Sequence, residues 1–235
     1  MHFLLSKNKS MVDLVKDLRS ENLLRSKKTK EAFLSVDRKD FLPSKEPSLI
    51  YGDHAYPIGY AATISAPHMH AYALDLLEPV LKPGNKCLDI GSGSGILCAL
   101  MMKMVQPTGK VIGVEHIPEL VEQSIKNIKK SFKSEYEQGL IKIVESDGRL
   151  GYEAEAPYDC IHVGAALKSL DENLLKQLNN NGMMVAPIDN KHGYQELTII
   201  KKDKEGNITK QKAEAVRFVP LVAKEEQWPL SSNKI

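Results

Sequence analysis

Three glycines that alternate with two serines follow an apolar segment and precede a run of helix-forming residues. The stretch reads LDIGSGSG from Leu88 to Gly95. Glycines permit positive φ angles and close approach of a ligand to bare backbone, and free N–H groups at a helix start favour polar or anionic ligand groups. The spacing differs from the G-x-G-x-x-G dinucleotide fingerprint because Ile96 occupies the third glycine position, and the Gly-Lys-Ser/Thr of a P-loop is absent. The stretch therefore predicts a nucleotide-type cofactor site, with a plain tight turn as the alternative.

Two acids follow the next two apolar segments and strengthen this interpretation. Glu115 directly follows the apolar run KVIGV (Lys110–Val114). It lies about 20 residues beyond the glycine loop, the spacing at which an acid reaches ribose hydroxyls. Asp147-Gly148 follows Leu140–Val144, where a carboxylate could accept a hydrogen bond from an adenine amino group. Taken singly, Glu115 could be a solvated strand-end charge and Asp147-Gly148 an ordinary turn. Because ligands of open α/β sheets bind at the carboxyl ends of the strands, the three features together favour a cofactor site.

Alternating strands and helices must position these residues. Apolar periodicity predicts seven strands, at 86–90, 110–114, 140–144, 158–163, 183–188, 195–201 and 214–219. It predicts helices from the capping residue Ser10 to about Ser20, and at 29–35, 68–81, 95–105, 118–132 and 171–179, with a loop-rich passage over 43–59. The last two strands form a hairpin around Asp203–Asn207. We expect an α/β, Rossmann-like fold with a mainly parallel seven-stranded sheet, a C-terminal antiparallel hairpin and an N-terminal helical extension.

Length and composition favour one domain. The 235 residues suffice for one core, which we divide into an N-terminal helical and substrate-side segment (1–84), a cofactor-binding sheet (85–228) and a tail (229–235). The net charge of +2 points to neither nucleic acid nor a membrane surface as a partner. No apolar run could span a bilayer, Phe3–Leu5 is too short for a signal-peptide core, and no heptad pattern is present. We expect a cytoplasmic monomer.

The cysteines and histidines indicate no metal site. Cys87, Cys98 and Cys160 lie in apolar contexts without a C-x-x-C motif and are typical of reduced packing residues. His68 and His70, two residues apart at a helix start, do not share a face. His162 lies in the predicted strand YDCIHV. We expect it to be a buried histidine held by a hydrogen bond, and the alternative is a direct role in the site.

A segment upstream of the sheet, ATISAPHMHAYAL from Ala62 to Leu74, makes the prediction more specific. Together with LDIGSGSGIL, VIGVEHI, DGRLGY, APYDCIHVGAA and FVPL, it resembles the protein-L-isoaspartate (D-aspartate) O-methyltransferase family over residues 10–228. The glycine stretch alone would indicate only a methyltransferase that uses S-adenosylmethionine.

The resemblance implies methyl transfer from S-adenosylmethionine, which becomes S-adenosylhomocysteine, to the α-carboxylate of isoaspartyl and D-aspartyl residues in age-damaged proteins, and repair through a succinimide. It implies Ser65 as the catalytic residue. It implies cofactor contacts from Ala62, Thr63, Ile64, Ser65, His70, Asp89, Gly91, Ser92, Gly93, Gly95, Glu115, His116, Asp147, Gly148, Val222 and Gln227. We expect Ser65, Ala66, Pro67, Val219 and Leu221 to contact an extended peptide substrate.

This chemistry requires little of the side chains. The substrate carboxylate is ionised at neutral pH, so no general base is needed and the protein mainly aligns the reactants and excludes water. Ser65 would orient the carboxylate by a hydrogen bond, and a helix N-cap is the alternative role for its hydroxyl. Two other functions stay open: a methyltransferase acting on RNA or a small molecule, and a protein that binds damaged chains without turnover. The sequence contains no Asn/Asp-Pro-Pro-aromatic motif and no strongly basic face, which disfavours the first of these.

Overall fold

The computed structural model describes residues 6–228; residues 1–5 and 229–235, which include the predicted tail, lie outside the described part. The helices are α1 (Met11–Ser20), α2 (Lys27–Ser35), α3 (Pro47–Ile50), α4 (Pro67–Leu77), α5 (Ile96–Val105), α6 (Pro118–Glu137), α7 (Glu172–Gln177) and α8 (Lys224–Gln227). The strands are β1 (Tyr56–Gly59), β2 (Ala62–Ile64), β3 (Lys86–Ile90), β4 (Lys110–Glu115), β5 (Ile141–Glu145), β6 (Tyr158–Val163), β7 (Leu178–Asp189), β8 (Gln195–Lys202) and β9 (Ile208–Val216).

Seven strands form one sheet in the order β5-β4-β3-β6-β7-β8-β9. The pairs from β5 to β7 are parallel, and β8 and β9 are added antiparallel. The predicted fold class is therefore confirmed. The chain runs outward from β3 to β5 and then returns to β6 on the other side of β3. Ligands of open α/β sheets bind at such a reversal of strand order, at the carboxyl ends of the strands.

The two faces of the sheet carry separate apolar layers because side chains alternate along each strand. In β3, Leu88 and Ile90 pack on the face covered by α7, whereas Cys87 packs on the opposite face with α1, α2, α4, α5 and α6. Residues from the N-terminal segment, such as Leu14 and Phe33, belong to the same buried cluster as Cys87. Cys87, Cys98 and Cys160 are all free and buried, which confirms their packing role. No helix within residues 6–228 is long and apolar enough to cross a membrane.

The C-terminal hairpin around Asp203–Asn207 is confirmed, but its predicted second strand, 214–219, has the wrong bounds, since only 214–216 lie in a strand. β9 instead occupies Ile208–Val216, after a turn in which the Asp203 carboxylate accepts hydrogen bonds from the backbone of Glu205 and Asn207. This edge strand is mostly exposed on both faces, so its sequence lacks the alternation that marks a half-buried strand. The following residues lie beside the loop after β6: Ala166 N donates to Val219 O at 2.8 Å, and Leu221 N donates to Ala166 O at 2.8 Å. This pairing brings the C-terminal segment to the carboxyl edge of the sheet.

The passage predicted as loop-rich contains a short helix, α3, and the hairpin β1–β2. Tyr60 and Ala61 at the hairpin turn have φ angles of +52° and +54°. Positive φ at both central residues is typical of a type I′ turn, which favours Asn-Gly rather than larger residues, and this explains why the sequence did not indicate it. Other boundaries differ modestly: α4 ends at Leu77 and continues as a 3-10 turn over Glu78–Val80, and α6 extends to Glu137.

Candidate functional site

The glycine loop is a rigid connection between β3 and α5. Gly91, Gly93 and Gly95 have φ angles of +73°, +48° and +83°, which confirms the expected left-handed backbone. The N–H groups of Gly91 and Ser92 both donate to the Val114 carbonyl, at 2.9 and 3.0 Å. Gly95 serves packing, since a Cβ there would lie 3.0 Å from Ile128. The loop thus presents Gly91 and Gly93 at the edge of the sheet.

Glu115 is buried at the end of β4 and holds this loop. Its carboxylate accepts hydrogen bonds from the backbone N–H of Gly93 at 3.1 Å, His116 at 2.8 Å and Ile117 at 3.1 Å. The alternative of a solvated charge is therefore excluded. A carboxylate has about four acceptor positions, so one remains for a ligand hydroxyl.

Asp147 and Gly148 begin a short 3-10 turn after β5. The Asp147 carboxylate caps this turn through Arg149 N and pairs with the Arg149 guanidinium at 2.6 Å, and this hydrogen bonding lowers the pKa of Asp147. Gly148 is buried against β3, where a Cβ would lie 2.7 Å from Ile90 Cγ2. Only glycine therefore allows this turn to close one end of the site.

These elements surround a cleft at the carboxyl edge of the sheet. Its lining consists of Ala62, Thr63, Gly91, Gly93, Val114, Glu115, His116, Gly148, Gly164, Ala165, Val219, Pro220, Leu221 and Gln227. Eight of the predicted cofactor residues are among them, from β2, three strand ends and α8. Sequence reasoning missed Val114, Gly164 and Ala165. The last two follow β6, and the position of β6 beside β3 could have indicated them.

The other predicted cofactor residues lie outside this lining. Those with buried side chains are Ile64, His70, Asp89 and Ser92. Burial, with the charge of Arg38 as a smaller contribution, lowers the pKa of His70 and keeps it neutral. Asp147 and Val222 are the sequence neighbours of Gly148 and Leu221, which line the cleft, but they do not line it themselves.

Asp89 is buried near the end of β3, inside the molecule. It faces His162 across the parallel pair β3–β6, and its Oδ1 lies 2.8 Å from His162 Nδ1. Its Oδ2 accepts a hydrogen bond from Cys98 Sγ at 3.3 Å. The prediction of a buried, hydrogen-bonded His162 is confirmed. The Asp89 carboxylate is directed to these internal partners rather than to the cleft wall.

Gln227 closes the cleft from the C-terminal side. Its Oε1 lies 3.0 Å from His116 Nε2, and its Nε2 donates to the Tyr60 carbonyl at 3.1 Å. Trp228 adds an edge-to-face contact with Tyr60, with ring centroids 5.4 Å apart. Three segments that are far apart in sequence are therefore joined above the cleft.

A second, more open groove adjoins the cleft and contains Ser65. The two share Thr63, Gly164 and Val219. Ser65 is not a helix cap, because the N-cap of α4 is Ala66 and no side chain caps that helix. Within residues 6–228 the Ser65 hydroxyl has no hydrogen-bond partner, so it is available to a molecule in the groove.

His68 also lines the groove and is paired with Asp53. His68 Nδ1 lies 2.9 Å from Asp53 Oδ2, and this hydrogen bond raises the pKa of His68. Its neighbour His70 is buried and neutral, so the two histidines do not act together. No group of three His, Cys, Asp or Glu residues that could hold a metal ion exists among residues 6–228.

The structure thus contains two adjoining spaces. The cleft presents backbone amides, a buried carboxylate and apolar walls, and the groove beside it is more open. The two meet at Thr63, Gly164 and Val219.

Residues 8–226 match the family model described as protein-L-isoaspartate(D-aspartate) O-methyltransferase. A Caenorhabditis elegans protein-L-isoaspartate O-methyltransferase is 45% identical over 216 residues, covering 92% of this chain and 94% of the relative. The Arabidopsis thaliana protein-L-isoaspartate O-methyltransferase 1 is 43% identical over 95% of this chain and 94% of the relative. A Plasmodium falciparum crystal structure, named for the same activity and solved with S-adenosyl-L-homocysteine, has a TM-score of 0.83 and 32% identity, covering 91% of this chain and 98% of that chain.

Proposed function

The chain belongs to the protein-L-isoaspartate(D-aspartate) O-methyltransferase family, and we propose that its cleft and groove carry out this reaction with the residue roles given below. The enzyme transfers a methyl group from S-adenosylmethionine to the α-carboxylate of isoaspartyl residues in damaged proteins, which begins their repair. The observation that carries the residue assignment is the shared wall between the cleft at the glycine loop and the groove that contains Ser65.

The residues of the cleft fit S-adenosylmethionine. A Cβ on Gly91 would lie 3.9 Å from the Cβ of Ala165, which lines the same cleft, so the bare backbone leaves room for a ligand to approach. The remaining acceptor position of Glu115 suits a ribose hydroxyl, and Gly148 and His116 border the adenine end. When bound, the sulfonium of this molecule supplies an activated methyl group with a neutral leaving group. The chemistry requires no metal, and we propose none.

The side chains of the groove align the acceptor. The α-carboxylate of an isoaspartyl residue has a reference pKa of about 3.3–3.7 and is already ionised, so no base has to remove a proton. Ser65 donates a hydrogen bond that orients this carboxylate. Ala66 and Val219 line the groove and contact the flanking peptide, whereas the predicted Pro67 is buried at the start of α4 and the predicted Leu221 lines the cleft instead. Gln227 helps to exclude water by joining Tyr60 to His116.

We also propose that the protein is a cytoplasmic monomer that needs neither nucleic acid nor a membrane. Three free, buried cysteines are typical of a reducing compartment. The net charge is only +2. The exposed large hydrophobic residues of the described chain, among them Val12, Leu150 and Tyr194, lie on separate elements and resemble ordinary surface residues.

The test of this function uses a labelled methyl donor and three acceptors. We expect label on an isoaspartyl peptide and none on its L-aspartyl twin or on bulk RNA, because the twin places its carboxylate elsewhere. Label on RNA alone would favour a nucleic-acid methyltransferase. Retention of the donor without transfer would favour a protein that binds damaged chains only, and either result would overturn the proposal.

Substitution of Gly91 by alanine tests the position of the cofactor. The methyl group would stand on the cleft wall and would impose a φ of +73° on an L-residue. We expect the affinity for S-adenosylhomocysteine, measured by calorimetry, to fall at least about tenfold, which corresponds to about 1.4 kcal/mol.

Gly193 provides a matched control for this substitution. Its φ is +83°, and a Cβ added at this position would have no heavy atom within 4 Å, so Gly193→Ala carries a similar backbone penalty of about 1–2 kcal/mol without touching the cleft. The thermal midpoints of both variants should fall similarly, whereas the ligand affinity of Gly193→Ala should be unchanged. Normal affinity in Gly91→Ala would remove the glycine loop from the site.

A further inference from the structure

Arg38 is a buried cation directly behind the groove. It lies in a 3-10 turn over Arg38–Asp40, and its side chain is almost entirely inaccessible. Its Nη2 donates to the Ser65 carbonyl at 3.0 Å and to the His54 carbonyl at 3.3 Å. Ser65 and Ala55 line the groove, so the guanidinium holds together the two segments that form this part of its wall.

Two nitrogens of this guanidinium have no partner in the described chain. Nε and Nη1 are buried and make no hydrogen bond within residues 6–228. Burial of a charged group without full pairing is costly, and here it lowers the pKa of Arg38 to about 9. A neutral side chain with N–H donors could hold the same two carbonyls without burying a charge. The burial of an incompletely paired guanidinium therefore points to a role for the charge itself.

The neighbouring carboxylate compensates the Arg38 charge only in part. Asp53 acts on Arg38 electrostatically, but its carboxylate is hydrogen-bonded to His68 and forms no ion pair with Arg38 within the described residues. His70 is neutral because of its burial and adds no positive charge.

We propose that Arg38 is a positioning residue that selects a carboxylate acceptor: it fixes the Ser65 segment and provides the unpaired positive charge that an isoaspartyl α-carboxylate complements. This proposal rests on the proposed function of the groove. Methylation converts the carboxylate into a neutral ester, but the carboxylate keeps part of its charge in the transition state, so Arg38 stabilises the bound substrate and the transition state to a similar extent and the product less. The charge therefore acts mainly on substrate affinity, whereas the hydrogen bond to the Ser65 carbonyl acts on the position of Ser65 and so on the turnover number.

The test compares Arg38→Met with the wild type for two peptides in the presence of S-adenosylhomocysteine. One carries the isoaspartyl α-carboxylate, and the other carries a neutral α-carboxamide at the same position. We expect the dissociation constant of the carboxylate peptide to rise about 30-fold, as for a charge pair several ångströms apart in a partly buried site, and that of the carboxamide peptide to change less than about threefold. The KM for the carboxylate peptide should rise in parallel, and kcat should fall as well because the Ser65 segment loses its anchor.

Two further variants separate charge from structure. Arg19 also bridges two backbone carbonyls, those of Leu24 and Arg25, but is exposed and away from the groove, so Arg19→Met should leave both dissociation constants unchanged. Arg38→Lys keeps the charge and should restore most of the preference for the carboxylate peptide.

Equal losses of affinity for both peptides in Arg38→Met, or no loss of affinity for either, would overturn the proposal for Arg38. A wild type that binds neither peptide would instead overturn the function of the groove, and preserved S-adenosylhomocysteine affinity would show that Arg38→Met is folded.

Discussion

Replacement of Glu115 by alanine is expected to lower the affinity for S-adenosylhomocysteine about 100-fold. The substitution removes a charged acceptor from three backbone N–H groups, including that of Gly93 in the glycine loop. It also removes the proposed acceptor for a ribose hydroxyl. Hydrogen bonds to a charged group contribute about 1.5–3 kcal/mol each, and loss of the ligand contact together with the disordering of Gly93 amounts to about 3 kcal/mol. Calorimetric titration of the purified variant measures this change directly.

Glu145 offers a control in the neighbouring strand. It pairs with Glu115 in the register of β4 and β5, ends its strand in the same way, and is exposed. Glu145→Ala removes the same charge without a contact to the loop and should leave the ligand affinity unchanged. Glu115→Gln should lie between wild type and alanine, because its amide nitrogen would face an N–H donor. Equal affinities of the two alanine variants would contradict the role of Glu115.

Local pattern was sufficient to predict one wall of the site. Gly91, Glu115 and Gly148 each follow an apolar strand, and parallel strands bring such positions to one edge of the sheet. Their positions relative to the cleft could therefore be predicted without knowledge of the packing between distant segments. The orientation of Asp89 could not, because it depends on His162, which lies 73 positions away on a strand whose place beside β3 is a property of the whole sheet.

The other walls depend on long-range contacts that leave no local pattern. Gln227 meets His116 and Tyr60 across separations of 111 and 167 positions. Arg38 stands in a polar, lysine-containing stretch that is typical of a protein surface, yet its burial is set by the packing of the turn at Arg38–Asp40 on the Ser65 segment. The type I′ turn at Tyr60-Ala61 uses residues that rarely adopt positive φ, so propensity argues against it.

Ser65→Ala is expected to lower kcat for an isoaspartyl peptide about 100-fold, with KM changed by less than about threefold. The hydroxyl holds the carboxylate in line with the methyl group, and a misplacement of the reacting atoms by about 1 Å costs about this factor in rate. The protein itself should not be weakened, because within residues 6–228 the Ser65 hydroxyl makes no hydrogen bond and caps no helix. Steady-state kinetics together with a thermal unfolding curve test both halves of this expectation.

Ser10 supplies the opposite case and so distinguishes an orienting hydroxyl from a structural one. Its Oγ accepts the hydrogen bond from Asp13 N at the start of α1. Ser10→Ala should therefore cost about 1 kcal/mol of folding free energy, the usual value for a lost N-cap, while kcat stays at the wild-type value. The pair of variants should thus show opposite patterns, one losing turnover and the other stability. If Ser65→Ala lost stability but kept its turnover number, the hydroxyl would be a structural group, and the carboxylate would have to be oriented by the backbone of the groove alone.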